Sequence, residues 1–170
     1  MTHTNIKYCN LNISFVKFNE IFLEATYRWL QDAELLYLID AIPITKELQL
    51  VWFENLPNMT NYKIYGVMCD GIPIGVCGLK HVTESAGEYF GYIGEKNYWG
   101  IGIGKCLVEY IEAVARTKQL KSVYISVRED NMRAINLYKK RGYISQGERK
   151  NFYSHPTENA LIMTKTFSEE

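Results

Sequence analysis

The chain of 170 residues has no excess of either charge: 19 Lys and Arg stand against 19 Asp and Glu. Such a balance excludes the global field that draws basic proteins onto nucleic acid or anionic lipid. No apolar run approaches the roughly 18 residues that a membrane-spanning helix needs. The N-terminus also lacks the basic-then-apolar pattern of a secretory leader. A soluble, cytoplasmic protein with no nucleic-acid or membrane partner is therefore expected. Cysteines are few and scattered. Cys9, Cys69, Cys77 and Cys106 form no CxxC pair, and no histidine completes a metal-ligand pattern with them. The last three lie in apolar segments, as reduced, buried thiols do, so neither a disulfide scaffold nor a metal is expected. Prolines number four, and no linker, repeat or low-complexity tract interrupts the chain. One domain covering residues 1–170 is the expectation.

What is present is a clear change of rhythm along the chain. Leu11 to Phe18 alternates like a strand. Ile21 to Ile39 is rich in Leu, Glu and Ala and reads as one or two helices. Pro43 interrupts them, and Thr45 can cap a further helix from Lys46 to about Asn55, with Leu48, Val51, Trp52 and Asn55 at helical spacing. Three strands follow as an antiparallel meander: Tyr62–Cys69, Ile72–Thr83 and Glu88–Gly94. The first two are joined by Asp70-Gly71, a type I′ hairpin dipeptide. Beyond Trp99, Ile103, Leu107, Tyr110, Ile111 and Val114 mark one face of a helix. Then come a strand over Ser122–Val127, a helix over Asn131–Arg141 stopped by Gly142, and two strands, Tyr143–Tyr153 and Asn159–Phe167. A meander followed by alternating strands and helices predicts an α/β protein with a mixed sheet.

Three glycines, Gly100, Gly102 and Gly104, surround the start of the helix that begins near Ile103. A helix N-terminus carries unpaired N–H groups and partial positive charge, and glycine lets an anion approach the backbone closely. The turn is thus a candidate cradle for phosphate oxygens, with Lys105 placed to add charge. A dinucleotide fingerprint fails, because the third glycine comes one residue early and no acidic residue follows near position 124. A Walker loop fails because Cys106 follows Gly104-Lys105. A tight turn without a ligand remains the alternative on spacing alone.

Together with a second motif, this turn resembles the GNAT superfamily of N-acetyltransferases. The family pattern is Gln/Arg-x-x-Gly-x-Gly/Ala at a strand-to-helix junction. Here it reads Trp99-Gly100-Ile101-Gly102-Ile103-Gly104, with tryptophan at the Gln/Arg position, as in branches whose junction reads Tyr-Trp-Gly. Downstream, the stretch from Asp130 to Tyr143 is similar to the family's Asp-Asn-x-x-Ala-x-x-x-Tyr-x-x-x-Gly-aromatic helix. The resemblance spans roughly Ile13 to Thr166 and is sharp from Gly91 to Tyr143. It implies a largely antiparallel sheet of six to seven strands, helices on both faces, and a splay between two central parallel strands.

The resemblance also implies acetyl-coenzyme A as cofactor. The backbone at Ile93 and Gly94 would pair with the pantetheine arm, residues 99–105 would grip the diphosphate, and Asn131 would bond the arm. Tyr138 would protonate the departing thiolate, a role suited to a phenol of pKa near 10. On spacing alone, Asn131 equally reads as a helix cap and Tyr138 as a core residue. For the general base, Glu88 ranks ahead of Glu95 and His81. Trp29, Tyr37, Trp52, Phe53, Tyr89 and Tyr92 are candidates for the acceptor pocket. The stretch Thr45 to Glu54, with Gln49, Trp52 and Phe53, is similar to bacterial enzymes that acetylate nucleotide-linked amino sugars in pseudaminic acid synthesis. That likeness implies a small amine acceptor, such as a nucleotide-linked amino sugar for surface glycan or flagellin glycosylation. Protein N-terminal or small-amine acetylation and a non-catalytic acyl-CoA sensor stand as alternatives. A homodimer is left open.

Overall fold

The computed structural model describes residues 4–8, 10–154 and 156–168. Cys9 lies outside the described residues. In chain order the elements are β1 (Thr4–Tyr8), β2 (Leu11–Lys17), α1 (Glu20–Trp29), α2 (Ala33–Ile39) and α3 (Lys46–Asn55). They continue with β3 (Lys63–Cys69), β4 (Ile72–Lys80), β5 (Ala86–Ile93), α4 (Gly104–Thr117), β6 (Ser122–Arg128), α5 (Met132–Lys140), β7 (Ile144–Ser154) and β8 (Thr157–Thr166). The strands form one sheet in the order β1-β2-β3-β4-β5-β6-β8-β7. Every neighbouring pair is antiparallel except β5 and β6, which run parallel.

The sheet has eight strands rather than six or seven. The additional one, β1, is a short polar edge strand that pairs only with β2 and alternates weakly, which hides it in the sequence. Local chemistry accounts for most other boundaries. Asp70 and Gly71 adopt φ of 47° and 83°, the two left-handed positions of a type I′ turn. The Thr45 side chain accepts the Leu48 N–H at 3.3 Å and starts α3 where the sequence places it.

Helices cover both faces. On one, Cys106, Leu107 and Ile111 of α4, with Ile103 just before it, and Ile135 of α5 pack against Ile13, Phe15, Val67 and Leu79 of the sheet. On the other, Phe22, Ala25 and Trp29 of α1 and Leu35 of α2 pack around Val76. Each large apolar side chain so buried contributes about 1.5–3 kcal/mol. Helix α3 departs from its expected orientation. Leu48 and Val51 are 61% and 63% exposed, whereas Gln49 is only 4% exposed. The buried Gln49 amide donates to Thr26 Oγ1 at 2.7 Å, so a polar contact to α1 decides which face turns inward.

Candidate active site

The parallel pair at the centre of the sheet is incomplete. Strands β5 and β6 share only the pairs Ala86–Ser122, Gly87–Val123 and Glu88–Tyr124. Beyond them β5 stays bonded to β4 as far as Ile93–Gly75, and β6 stays bonded to β8 as far as Arg128–Ala160. The two strands therefore part into a fork that opens toward their C-terminal ends. A fork of this kind exposes unpaired backbone to which an extended ligand can add.

The glycine turn stands at the mouth of the fork. Gly100 and Gly102 have φ of 79° and 93°, conformations that glycine alone adopts without strain. Ile103 precedes α4 with no side-chain cap. The amides of Gly100, Ile101, Gly102 and Ile103 donate to no backbone acceptor among the described residues. Four free N–H groups at the positive end of a 14-residue helix make a site that suits an anion. Trp99 turns its indole inward, donating Nε1–H to the Ile93 carbonyl at 2.7 Å. The Gly94 N–H is committed to Ile74 O at 2.8 Å, and Trp29 packs over Gly94. Lys105 stays at the helix surface, its amine 3.7 Å from Glu109 one turn on.

Tyr138 and Glu88 lie on opposite faces of β5. Tyr89 packs with Tyr138 in the α4–α5 layer, their ring centroids 6.1 Å apart. Strand alternation then turns Glu88, Phe90 and Tyr92 to the α1–α3 side. Burial pushes the Tyr138 phenol above the ordinary tyrosine value, so it stays protonated. Glu88 is 4% exposed; its Oε2 lies 2.8 Å from His81 Nδ1 and its Oε1 3.7 Å from Lys80 Nζ. His81 adopts φ of 50°, a left-handed conformation that is strained for a non-glycine residue. Asn131 caps α5, accepting the Ala134 N–H at 3.1 Å. Glu95 is engaged elsewhere, bonded to Arg28 and to Trp29 Nε1.

On the α1–α3 side a cavity of about 240 Å³ lies beside the β5 row. Trp52, Tyr62, Phe90 and Tyr92 supply its aromatic walls, and Gln49 and Thr26 its polar atoms. Of the six expected acceptor aromatics, Trp52 and Tyr92 line this cavity. Trp29 and Phe53 pack with the α1 core, Tyr89 faces α4, and Tyr37 serves a cluster at the end of β6. That cluster has no counterpart in the sequence reading. Its centre is Arg128, 1% exposed, with Nε donating to Tyr37 O at 2.8 Å and Nη2 to Asp40 at 3.1 Å. Nη1 donates to Glu158, and the guanidinium stacks 4.3 Å from the rings of Tyr37 and Tyr153. The one local hint was an arginine closing an apolar strand; its hydrogen-bond partners are 30 to 91 residues away.

Comparison with known proteins agrees with this geometry. The model of the acetyltransferase (GNAT) family matches residues 23–143. A Bacillus subtilis (strain 168) protein named as a ribosomal protein (bS18) alanine N-acetyltransferase is 30% identical over 141 residues, covering 82% of this chain and 93% of that protein. Among solved structures, a spermidine N-acetyltransferase from Vibrio cholerae in complex with CoA and spermine superimposes with a TM-score of 0.81. It is 15% identical and covers 91% of this chain and 95% of its own. The aminoglycoside acetyltransferase AAC(6')-Ib in complex with coenzyme A superimposes with a TM-score of 0.75 at 20% identity, covering 91% and 94%. At these identities the solved structures establish the shared fold.

Proposed function

This chain belongs to the acetyltransferase (GNAT) family, and on that premise we propose that it moves acetyl from acetyl-coenzyme A to the amine of a nucleotide-linked amino sugar by direct attack. When bound, the coenzyme supplies an acetyl group activated as a thioester. The carrying observation is the fork between β5 and β6, with an acid on one face and a carboxylate on the other. Glu88 takes the proton of the incoming ammonium, and the exposed His81 at its side passes that proton to water. Tyr138, held neutral by burial, gives its proton to the departing sulfur on the α4–α5 side. The turn over residues 99–104 orients the donor by its backbone amides.

Two features support the acceptor class. The Thr45–Glu54 stretch that resembles the amino-sugar enzymes contributes Gln49 and Trp52 to the aromatic cavity, whose Phe90 and Tyr92 share a face of β5 with Glu88. The cavity, about 240 Å³, is smaller than the roughly 300 Å³ that drug-sized ligands begin to need, so it suits one ring of a larger acceptor. A second reading, acetylation of a protein N-terminus, is favoured by the 30% identity to the Bacillus subtilis protein. Thiol release from acetyl-coenzyme A across UDP- and dTDP-linked amino sugars, N-terminal peptides and polyamines separates the two. Turnover with peptides alone would overturn the amino-sugar reading. Cofactor binding with no thiol release on any amine would mark a sensor instead.

A further inference from the structure

Two side chains that the sequence does not connect to the glycine turn converge on it. A Cβ on Gly102 would collide with the Tyr8 hydroxyl, and one on Gly100 would lie 3.0 Å from Arg133 Nη2. Tyr8 closes strand β1, with its ring packed against the main core and its oxygen over the turn. Arg133 is the second residue of α5 and reaches across from that helix. Lys105, the basic residue nearest in sequence, is drawn along α4 to Glu109.

Arg133 is exposed, and the helix ends around it oppose its charge only mildly. A cation in the first turn of a helix opposes the partial positive charge there, and the first turn of α5 holds no acidic residue to offset it. The guanidinium also points toward the uncapped N-terminus of α4, a second positive end. No ion pair relieves it among the described residues. An anion between Gly100 and Gly102 would neutralise all three, and the Tyr8 hydroxyl stands ready to donate to the same oxygens.

We infer that Arg133 and Tyr8 bind the coenzyme's diphosphate as side-chain partners of the backbone cradle, which makes β1 part of the cofactor site. The inference rests on the reading that the turn holds coenzyme A. Arginine supplies the charge and a planar pair of donors; tyrosine supplies one neutral donor and closes the outer wall.

Calorimetry with coenzyme A and dephospho-coenzyme A, at 0.05 and 0.5 M KCl as rough limits of screening, tests it. Arg133→Ala is expected to weaken both ligands alike by about tenfold and to flatten the salt dependence of Kd. Tyr8→Phe is expected to weaken both by about threefold with the salt dependence retained. Arg133→Lys, which keeps the charge, should recover the salt dependence and only part of the affinity. A loss confined to coenzyme A would move Arg133 to the 3′-phosphate and overturn the assignment. So would unchanged affinity in either variant, or a loss in Arg133→Ala with unaltered salt dependence. Failure of the unsubstituted protein to bind either ligand would instead refute the underlying cofactor reading.

Discussion

Replacing Tyr138 with phenylalanine removes one oxygen and leaves the ring in place, between Tyr89 and Tyr143 at centroid distances of 6.1 and 5.8 Å. The hydroxyl has no hydrogen-bonding partner among the described residues, so nothing is orphaned by its loss. Stability is expected to change by less than about 0.5 kcal/mol. Catalysis is expected to respond very differently. General-acid assistance is worth about 100-fold or more, so kcat should fall by at least that factor, about 2.7 kcal/mol at 1.36 kcal/mol per decade. The KM for acetyl-coenzyme A should stay within about twofold, because the diphosphate grip lies elsewhere. Burial raises the phenol pKa above its ordinary value near 10, so Tyr138 causes no alkaline fall of kcat below about pH 10. A continuous thiol-release assay and a thermal unfolding curve on the same preparation make the test. An unchanged kcat, or a fall matched by loss of the folded state, would refute the assignment of Tyr138 as the acid.

Gly102→Ala places a Cβ at φ of 93° and against the Tyr8 hydroxyl. It is expected to weaken acetyl-coenzyme A at least tenfold, a left-handed conformation alone costing about 1–2 kcal/mol. Lys105→Ala should change affinity by less than about twofold, its half-exposed amine making only an i,i+4 pair. Equal losses by calorimetry would point to a side-chain charge site there. Arg128→Ala leaves Asp40 and Glu158 without their cation and should cost about 3 kcal/mol in urea unfolding. Arg128→Lys should recover less than half, since an ammonium cannot replace the fork between two rings. A loss below about 1 kcal/mol would show the cluster to be dispensable. Buried Tyr89 and Tyr138 both have pKa values raised by burial. Their stabilisation is complete below the unfolded value near 10 and is lost as the pH rises toward the folded value. Stability should then fall by at least about 2.7 kcal/mol per pH unit above pH 10, because Tyr62, Tyr92, Tyr143 and Tyr153 are raised by burial as well, and a flat profile by chemical denaturation at pH 10–11 would contradict this.

The parts that were legible share one property. Thr45 as the start of α3, Asp70-Gly71 as a tight hairpin, the inward face of α4 and the glycine turn are each decided within one or two turns of chain. Strand β1 was missed because an exposed edge needs no strong alternation. The inward face of α3 was misread because Leu48, Leu50 and Val51 spread around the helix. No local period shows that the Thr26 hydroxyl waits for Gln49.

Composition and spacing by themselves indicated the α/β class, most element boundaries, and a glycine-rich turn between a strand and a helix. They placed Tyr138 on a helix after that turn and Glu88 on a strand before it. Only the assembled sheet decided that β5 and β6 part after Glu88, which puts those two residues on opposite faces of one opening. Only it brought Arg128 to Asp40 and Glu158, and Tyr8 and Arg133 to the glycines. The physical reason is one of range. Periodicity and capping act over a few residues, whereas charge pairing and burial depend on which distant segments the fold brings together.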